Sequence, residues 1–402
     1  MKIRSITYFL NPKYPLDENA LRKAGDFLAQ AKSTYEAAGY EVQTTRLATI
    51  PFPVLLHGRL EETPLFAQKM SEMLKQIGVA YAALGPALIE FPQSYEVLPE
   101  AISASENIFF GGVMADKKNG ISMPAIKACA KIMQRASTIT PDGFANLRFA
   151  ALANVRAGAP FFPAAYHDGD VSAFAIATEA ADLAVKAFAE NRTLADGRRM
   201  LISEIEKHGQ AITQIANTAL AYKKFVGIDF SLAPFPDDAH SLGRAVENLG
   251  VPKIGLHGSL AAAAILTEAV DRADFPHTGF SGFMQPVLED SVLAQRAADG
   301  TLTVKDALLY SAVCGTGLDT VPLAGDTTAE QMAPLLLDLS ALAMRLDKPL
   351  TARLMPVPGK RAGDATGFDF AFFANSRVMA LDSEPLNMPL GGNESFALKE
   401  KR

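Results

Sequence analysis

The sequence predicts a single α/β domain in which helices cover a sheet that closes into a barrel. Three observations lead to this prediction. Short apolar runs alternate with stretches of helical spacing along all 402 residues, a pattern typical of a sheet covered by helices. The strand-like runs are apolar almost without interruption, which indicates burial on both faces. No repeat or linker divides the chain, and residues 91–100 form only a weak boundary.

Hydrophobic spacing and helix boundaries place the elements of the first half. RSITYFL at residues 4–10 is an apolar run rich in strand-forming residues. Leu21 and Leu28 recur on one face of a helix predicted over residues 17–38. Gly39 is then a plausible helix stop. The same reasoning predicts further strands at 41–48, 80–85, 106–114 and 147–155, and further helices at 63–77 and 124–136.

The second half of the chain continues this alternation. Residues 313–328 read VCGTGLDTVPLAGDTT. A flexible turn is expected around Cys314, because Gly315 and Gly317 would reverse the chain after it. Strands are predicted at 171–177, 227–233, 253–258 and 351–357, and helices at 179–190, 201–225, 239–249, 259–273, 287–298, 304–313 and 329–346.

Composition limits the classes of function. The chain is 49% hydrophobic and 20% charged, as in ordinary globular proteins. With a net charge of −6 and no basic tract with interleaved aromatic residues, we expect no nucleic-acid partner. There is no apolar stretch of about 18 residues and no signal-peptide core, so we expect no membrane span. Two cysteines do not suggest a disulfide framework, and we expect a cytoplasmic homo-oligomer.

Polar residues that follow strand-like runs are the candidates for chemistry, because sites in α/β folds form beyond the carboxyl ends of strands. His167 is followed by Asp168 and Asp170. This trio fits either a divalent-cation site or ordinary turn chemistry. Asp229 lies in an apolar strand and needs a partner if it is buried. Ser231, two positions on, would share its face.

Two segments are candidates for anion binding. His257 ends an apolar run, and Gly258 with Ser259 opens an alanine-rich helix. Free N–H groups at such a helix start could bind an anion, whereas the alternative is a tight turn capped by Ser259. Later in the chain, Arg353 and Lys360 could hold a carboxylate or phosphate. The alternative there is a solvated basic loop.

Cys314 closes a helical run and precedes two glycines. A buried cysteine is usually a small hydrophobe. The glycines, however, would let another molecule approach the backbone closely, so the second hypothesis is that Cys314 lines a pocket and acts as a nucleophile. A helix C-terminus does not stabilise a thiolate, so that role would require a nearby cation.

Seven segments, taken in order, carry a family resemblance. They are ENIFFGGVMADKKNGISMPAI, APFFPAAYHDGD, GIDFSLAPFPDDAHSLGRAVENLG, KIGLHGSLAAAAILTEAV, GFSGFMQPVLED, AVCGTGLDTVPLAGDTT and RLMPVPGKRAGD. The chain resembles the uncharacterised family called domain of unknown function 711, also known as uncharacterised protein family 0210. The match covers most of the chain beyond Glu106, and residues 1–100 match more loosely.

The resemblance implies a fold but no activity. It implies one domain over residues 1–402, like the pyruvate formate-lyase barrel of about ten strands with a loop entering its centre. Glycyl radical enzymes share this barrel and use a cysteine inside it and a glycine near the C-terminus. Gly391 and Gly392 lie in PLGGNESF, which lacks the Arg-Val-x-Gly-aromatic pattern. We therefore expect no functional glycyl radical.

The leading hypothesis is a cytosolic hydrolase or lyase that acts on a small anionic metabolite by polar chemistry. His167 and His257 would be acid–base groups or, together with Asp229, ligands of a divalent metal ion. Cys314 would line the same pocket. The alternative is a non-catalytic binding or regulatory protein with that pocket. Histidines gathered around Asp229 would favour the enzyme, and histidines in separate core sites would favour the binding protein.

Overall fold

The computed structural model describes residues 1–401 and has the mixed α/β character that the sequence predicts. None of the helices in that range is long and apolar enough to cross a membrane. The strands are β1 (Lys2–Leu10), β2 (Val42–Thr49), β3 (Tyr81–Ala87), β4 (Ile108–Asp116), β5 (Gly120–Ser122), β6 (Phe149–Ala153), β7 (Ala173–Glu179), β8 (Lys224–Asp229), β9 (Ser231–Leu232), β10 (Gly282–Phe283), β11 (Gly317–Ala324), β12 (Leu350–Val357) and β13 (Ser395–Phe396). The helices are α1 (Glu18–Ala37), α2 (Phe52–Leu55), α3 (Thr63–Gln76), α4 (Leu98–Ser103), α5 (Met123–Ala136), α6 (Ala181–Glu190), α7 (Leu194–Thr218), α8 (Leu242–Asn248), α9 (Ser259–Arg272), α10 (Ser291–Ala298), α11 (Val304–Tyr310) and α12 (Ala329–Arg345).

One large sheet carries the fold, with the strand order β11-β12-β6-β4-β3-β2-β1-β7-β8. The central strands β1, β2, β3, β4 and β6 are parallel to one another. β7 pairs with β1 and β12 pairs with β6 in antiparallel fashion, while β8 and β11 run parallel to β7 and β12. The carboxyl ends of the strands are therefore divided between the two edges of the sheet.

A single segment, residues 277–287, lies between the two outermost strands of this sheet. Ile228 of β8 forms a parallel bridge with His277, and Pro286 forms one with Asp319 of β11. Between these bridges, β9 pairs in parallel with β10. The segment therefore pairs with β8 and β9 near its start and with β11 near its end.

Both faces of the strands are buried, as predicted. Ile6 of β1 belongs to the main core beneath the helices. Phe9 of the same strand belongs to a separate cluster with Ala48 of β2 and Phe162 from the segment after β6. Ile6, Phe9 and Ala48 are each 0% exposed. Alternate residues of each strand therefore face two packed layers.

Helices α8 and α10 share one buried cap. The Asp290 carboxylate accepts a hydrogen bond from the Leu242 N–H at 2.6 Å, where α8 starts, and from the Val292 N–H at 2.9 Å, where α10 starts. Burial raises the pKa of Asp290, against the effect of these hydrogen bonds. Two helix N-termini thereby converge on one carboxylate, which fixes the backbone of the adjacent Glu289.

The strand predicted over residues 253–258 is wrong. The backbone adopts positive φ angles of 105° at Gly255 and 103° at Gly258, a left-handed conformation that an extended strand does not contain. Leu256 between them is 44% exposed. The apolar run that suggested a buried strand is therefore a turned segment leading into α9.

Residues 311–316 form turns and bends, as expected around Cys314, but Gly317 already begins β11. Gly317, with a φ of 103°, lies so close to the Thr351 backbone of β12 that a Cβ atom would clash with it. Because Gly317 has no side chain, β11 and β12 can approach each other closely at this point. The helix predicted over residues 201–225 is shifted, since α7 ends at Thr218 and β8 follows it.

The shared cap should matter more for stability than an acidic side chain on a helix surface. We expect Asp290→Ala to lower the free energy of unfolding by roughly 2–4 kcal/mol, because a lost N-cap costs about 1–2 kcal/mol at each of two helices. Urea unfolding would measure this loss. The matched control is Asp26→Ala, which alters an exposed residue of α1 and should change stability by less than about 0.5 kcal/mol. Equal effects in the two variants would contradict the assignment.

Candidate functional site

A cavity of about 100 Å³ lies against the inner face of the large sheet. Its walls come from the centre of the sheet and from both of its outermost strands. Asp229 of β8 and Asp319 of β11 border the same space. The lining includes one tyrosine and six charged residues, which are Tyr81, Arg4, Arg46, Asp229, Glu289, Asp319 and Arg353.

Five buried or partly buried charges form a continuous chain of ion pairs beside this cavity. One Nη atom of Arg4 donates to Glu179 at 3.2 Å, and the other pairs with Glu289. Arg353 donates to the second oxygen of Glu289 at 3.0 Å and, through Nε, to Asp319 at 2.6 Å. Arg353 and Glu289 are each only 5% exposed. Pairing on this scale is needed, because a buried charge without a partner is strongly destabilising.

Asp319 is presented to the cavity by a distorted part of β11. Thr320 has a φ of 43°, a left-handed conformation that is strained for a β-branched residue and costs on the order of 1–3 kcal/mol. The pairing register with β12 shifts at this point, between Leu318 and Val321. Burial raises the pKa of Asp319, while Arg353 opposes that shift.

Arg46 is the cation that this chain of ion pairs leaves out. Its Nε donates to Thr44 at 2.9 Å, and among residues 1–401 neither Nη atom has a hydrogen-bond or ion-pair partner. The guanidinium group lies 5.1 Å from the ring centroid of Phe162 and 6.0 Å from that of Tyr81. Burial, together with the nearby charge of Arg4, lowers the pKa of Arg46 to about 9. An unpaired, desolvated cation of this kind suits an anionic ligand.

Aromatic rings form the remaining wall. Phe109 and Phe162 meet edge to face with centroids 5.4 Å apart. Phe370 and Phe372, from the segment after β12, lie 5.3 Å apart and border the same cavity. The site therefore combines one unpaired cation with a largely apolar surface.

Asp229 has the partners that its burial requires, as the sequence predicts. Its carboxylate accepts hydrogen bonds from the Ser231 hydroxyl at 2.6 Å and from the backbone N–H groups of Phe280 at 3.0 Å and Ser281 at 2.9 Å. Gly279 has a φ of 66°, and a Cβ atom there would collide with the carboxylate. Burial raises the pKa of Asp229. These contacts make Asp229 an anchor between β8 and the segment that bears Gly279.

The structure does not bring His167 and His257 together with Asp229. His167 is 7% exposed, and its ring lies 6.2 Å from that of Phe9. Burial lowers the pKa of His167, and its Nε2 has no partner within the described residues. His257 is exposed in the segment before α9. Within residues 1–401, no three His, Cys, Asp or Glu side chains are grouped to hold a metal ion.

Cys314 borders a different cavity, of about 380 Å³, rather than the central one. It is 1% exposed, and its Sγ accepts a hydrogen bond from the Gly317 N–H at 3.2 Å. A cation is close to it, as a reactive thiol would require. Lys348 donates through Nζ to the carbonyl groups of Ser311, at 3.0 Å, and Cys314. Both contacts involve carbonyl oxygens rather than the thiol.

The residues proposed for anion binding are also dispersed. The Ser259 hydroxyl donates to the Leu256 carbonyl at 2.7 Å, and Gly258 and Lys360 are exposed. Arg353 does bind carboxylates, but these belong to the protein itself. It is therefore not free to hold an external anion, and Lys360 is not among the residues that line the central cavity.

Sequence reasoning missed Arg4, Arg46, Glu289 and Asp319. Arg4 is a charged residue that precedes an apolar run in its strand, a signal similar to the one that identified Asp229. Arg46 lies in a strand rich in Gln and Thr, so its charge did not stand out. Glu289 and Asp319 also lacked the signal, since the first was assigned to a helix and the second lay outside the predicted strands. Their role depends on contacts with residues far away in sequence, such as Arg4 with Glu289, 285 positions apart.

Fold and site together define a mixed α/β protein with a small cavity beside its large sheet, bordered by paired charges, one unpaired arginine and aromatic rings. Residues 1–375 match the family described as Uncharacterised ACR (DUF711). The chain belongs to this family.

Relatives of similar length come from archaea and bacteria. A protein of Pyrobaculum arsenaticum named "UPF0210 protein" is 31% identical over 353 residues, covering 83% of this chain and 78% of that protein. "UPF0210 protein MK1214" of Methanopyrus kandleri is 30% identical over 370 residues, covering 86% of this chain and 81% of its own. "UPF0210 protein NMC1568" of Neisseria meningitidis is 29% identical over 361 residues, covering 85% and 80%. These names state no activity.

Removal of the positive charge should lower the free energy of unfolding at the paired Arg353 but not at the unpaired Arg46. We expect Arg353→Met to lower the free energy of unfolding by about 3–5 kcal/mol, since it leaves Asp319 buried without its partner and removes one of the two arginines that pair with Glu289. Arg46→Met removes a cation that pairs with no acid, so it should leave the free energy of unfolding unchanged or raise it. Urea unfolding of both variants would test this. A larger loss in Arg46→Met than in Arg353→Met would contradict the assignment of paired and free charges.

Proposed function

We propose that this protein binds a small organic carboxylate in the central cavity, with Arg46 as the residue that holds the anion. The observation that carries the proposal is the pair of unpartnered Nη atoms of Arg46 in a largely buried site. A guanidinium group offers two parallel N–H donors that match the two oxygens of a carboxylate. The ligand would replace the hydration that burial removes from Arg46.

The size and the lining of the cavity support a ligand that carries its carboxylate on a short apolar chain. The cavity of about 100 Å³ is several times the roughly 10–15 Å³ that one water molecule requires on the same measure. The rings of Phe109 and Phe372 favour contact with an apolar part of the ligand. A neutral ligand would leave the charge of Arg46 without a partner. Glu289 acts on Arg46 at longer range and favours its charged form, which keeps the cation available at neutral pH.

The same contacts support closure of the sheet into a barrel. Residues 277–287 are bridged to β8–β9 on one side and to β11 on the other, and Asp229 and Asp319 border one cavity. With this segment as a tenth strand, five parallel strands would face five of opposite direction. That arrangement fits the pyruvate formate-lyase-like barrel that the resemblance implies. The cavity would be its interior, and Phe162 would belong to the loop that enters it.

A hydrolase or lyase that acts on the bound anion is the second candidate, and Asp319 is the observation that favours it. Asp319 borders the cavity, burial raises its pKa, and the strained Thr320 follows it. Strain and perturbed titration are typical of catalytic groups. In such an enzyme Asp319, rather than a histidine, would be the acid–base group. Turnover that is lost in Asp319→Asn while binding persists would favour this candidate.

Calorimetric titration with a series from ethanoate to pentanoate would test carboxylate binding. We expect saturable binding of the shorter acids and loss of that binding in Arg46→Met. The matched control is Lys360→Met, which removes an exposed cation outside the cavity and should leave binding unchanged. Absence of binding for every acid, or equal losses in the two variants, would contradict the proposal.

A further inference from the structure

Tyr81 brings a second unpartnered polar group to the cavity. It is the register partner of Arg46 in the parallel pairing of β2 with β3, so the two side chains extend from neighbouring strands on the same face. Among residues 1–401, the Tyr81 hydroxyl has no hydrogen-bond partner. By contrast, the hydroxyls of Tyr35 and Tyr95 donate to carbonyl oxygens, at 3.1 Å and 2.6 Å.

Packing holds the Tyr81 ring in place beside the arginine. The ring meets Phe109 edge to face, with centroids 5.4 Å apart and an interplanar angle of 79°. Its centroid lies 6.0 Å from Cζ of Arg46, and both residues border the cavity. The ring that carries the Tyr81 hydroxyl is thus packed in place at the same cavity as the Arg46 guanidinium group.

We infer that the ligand is a carboxylic acid with an oxygen on the carbon next to the carboxylate, that is, a 2-hydroxy or 2-oxo acid. This inference rests on the proposed function. The carboxylate would lie in the fork of Arg46, and the neighbouring oxygen would accept a hydrogen bond from the Tyr81 hydroxyl. An acid without that oxygen would lack the hydrogen bond from Tyr81.

A matched set of three-carbon acids tests the inference by calorimetry. We expect 2-hydroxypropanoate to bind about fivefold more tightly than propanoate, the effect of one neutral hydrogen bond. The isomer 3-hydroxypropanoate, whose oxygen is one carbon further away, should gain nothing over propanoate. In Tyr81→Phe, 2-hydroxypropanoate and propanoate should bind equally.

The outcomes separate this inference from the proposal on which it depends. Equal affinities for propanoate and 2-hydroxypropanoate, or a preference that survives in Tyr81→Phe, would overturn the inference while carboxylate binding stands. Tightest binding of 2-aminopropanoate would also overturn it, because an ammonium group cannot accept a hydrogen bond. If none of these acids binds, or if binding survives in Arg46→Met, the carboxylate site itself is refuted.

Discussion

The pairing of Arg353 with Glu289 and Asp319 is the interaction on which the rest of the structure depends. Three charges that are almost completely buried can remain inside a protein only when each has a partner. Their pairing ties β12 to β11 and to the chain that follows β10, and Arg4 extends it to β1. Because these charges satisfy one another, the cavity beside them presents only Arg46 as an unpaired cation among the described residues.

Several features away from the cavity hold this arrangement in place. Asp290 fixes the chain next to Glu289 by capping two helices. The strained backbone of Thr320 directs Asp319 toward Arg353. Asp229 anchors the segment between β8 and β11 through three hydrogen bonds. A site supported in this way is preorganised, so a ligand would meet a cation whose position is already set.

Local patterns in the sequence predict the helices and most strands, because hydrophobic spacing reflects the burial of one face or of both. They also predict that Asp229 needs a partner and that Ser231 can supply it. They do not predict the pairs that define the site, since Arg4 and Glu289 lie 285 positions apart. His257 was a candidate because it was expected at the carboxyl end of a strand, but residues 253–258 form a turned segment. In this sheet the strands run in both directions, so their carboxyl ends do not meet at one edge.

The central claim is that Arg46 is a free cation that receives the carboxylate of a small ligand. The most direct measurement is the difference electron density in crystals of the protein soaked with propanoate. The account predicts density in the central cavity, with both carboxylate oxygens within hydrogen-bonding distance of the Arg46 Nη atoms. Ordered propanoate elsewhere with an unoccupied cavity, for example at Gly258 and Ser259 at the start of α9, would contradict it.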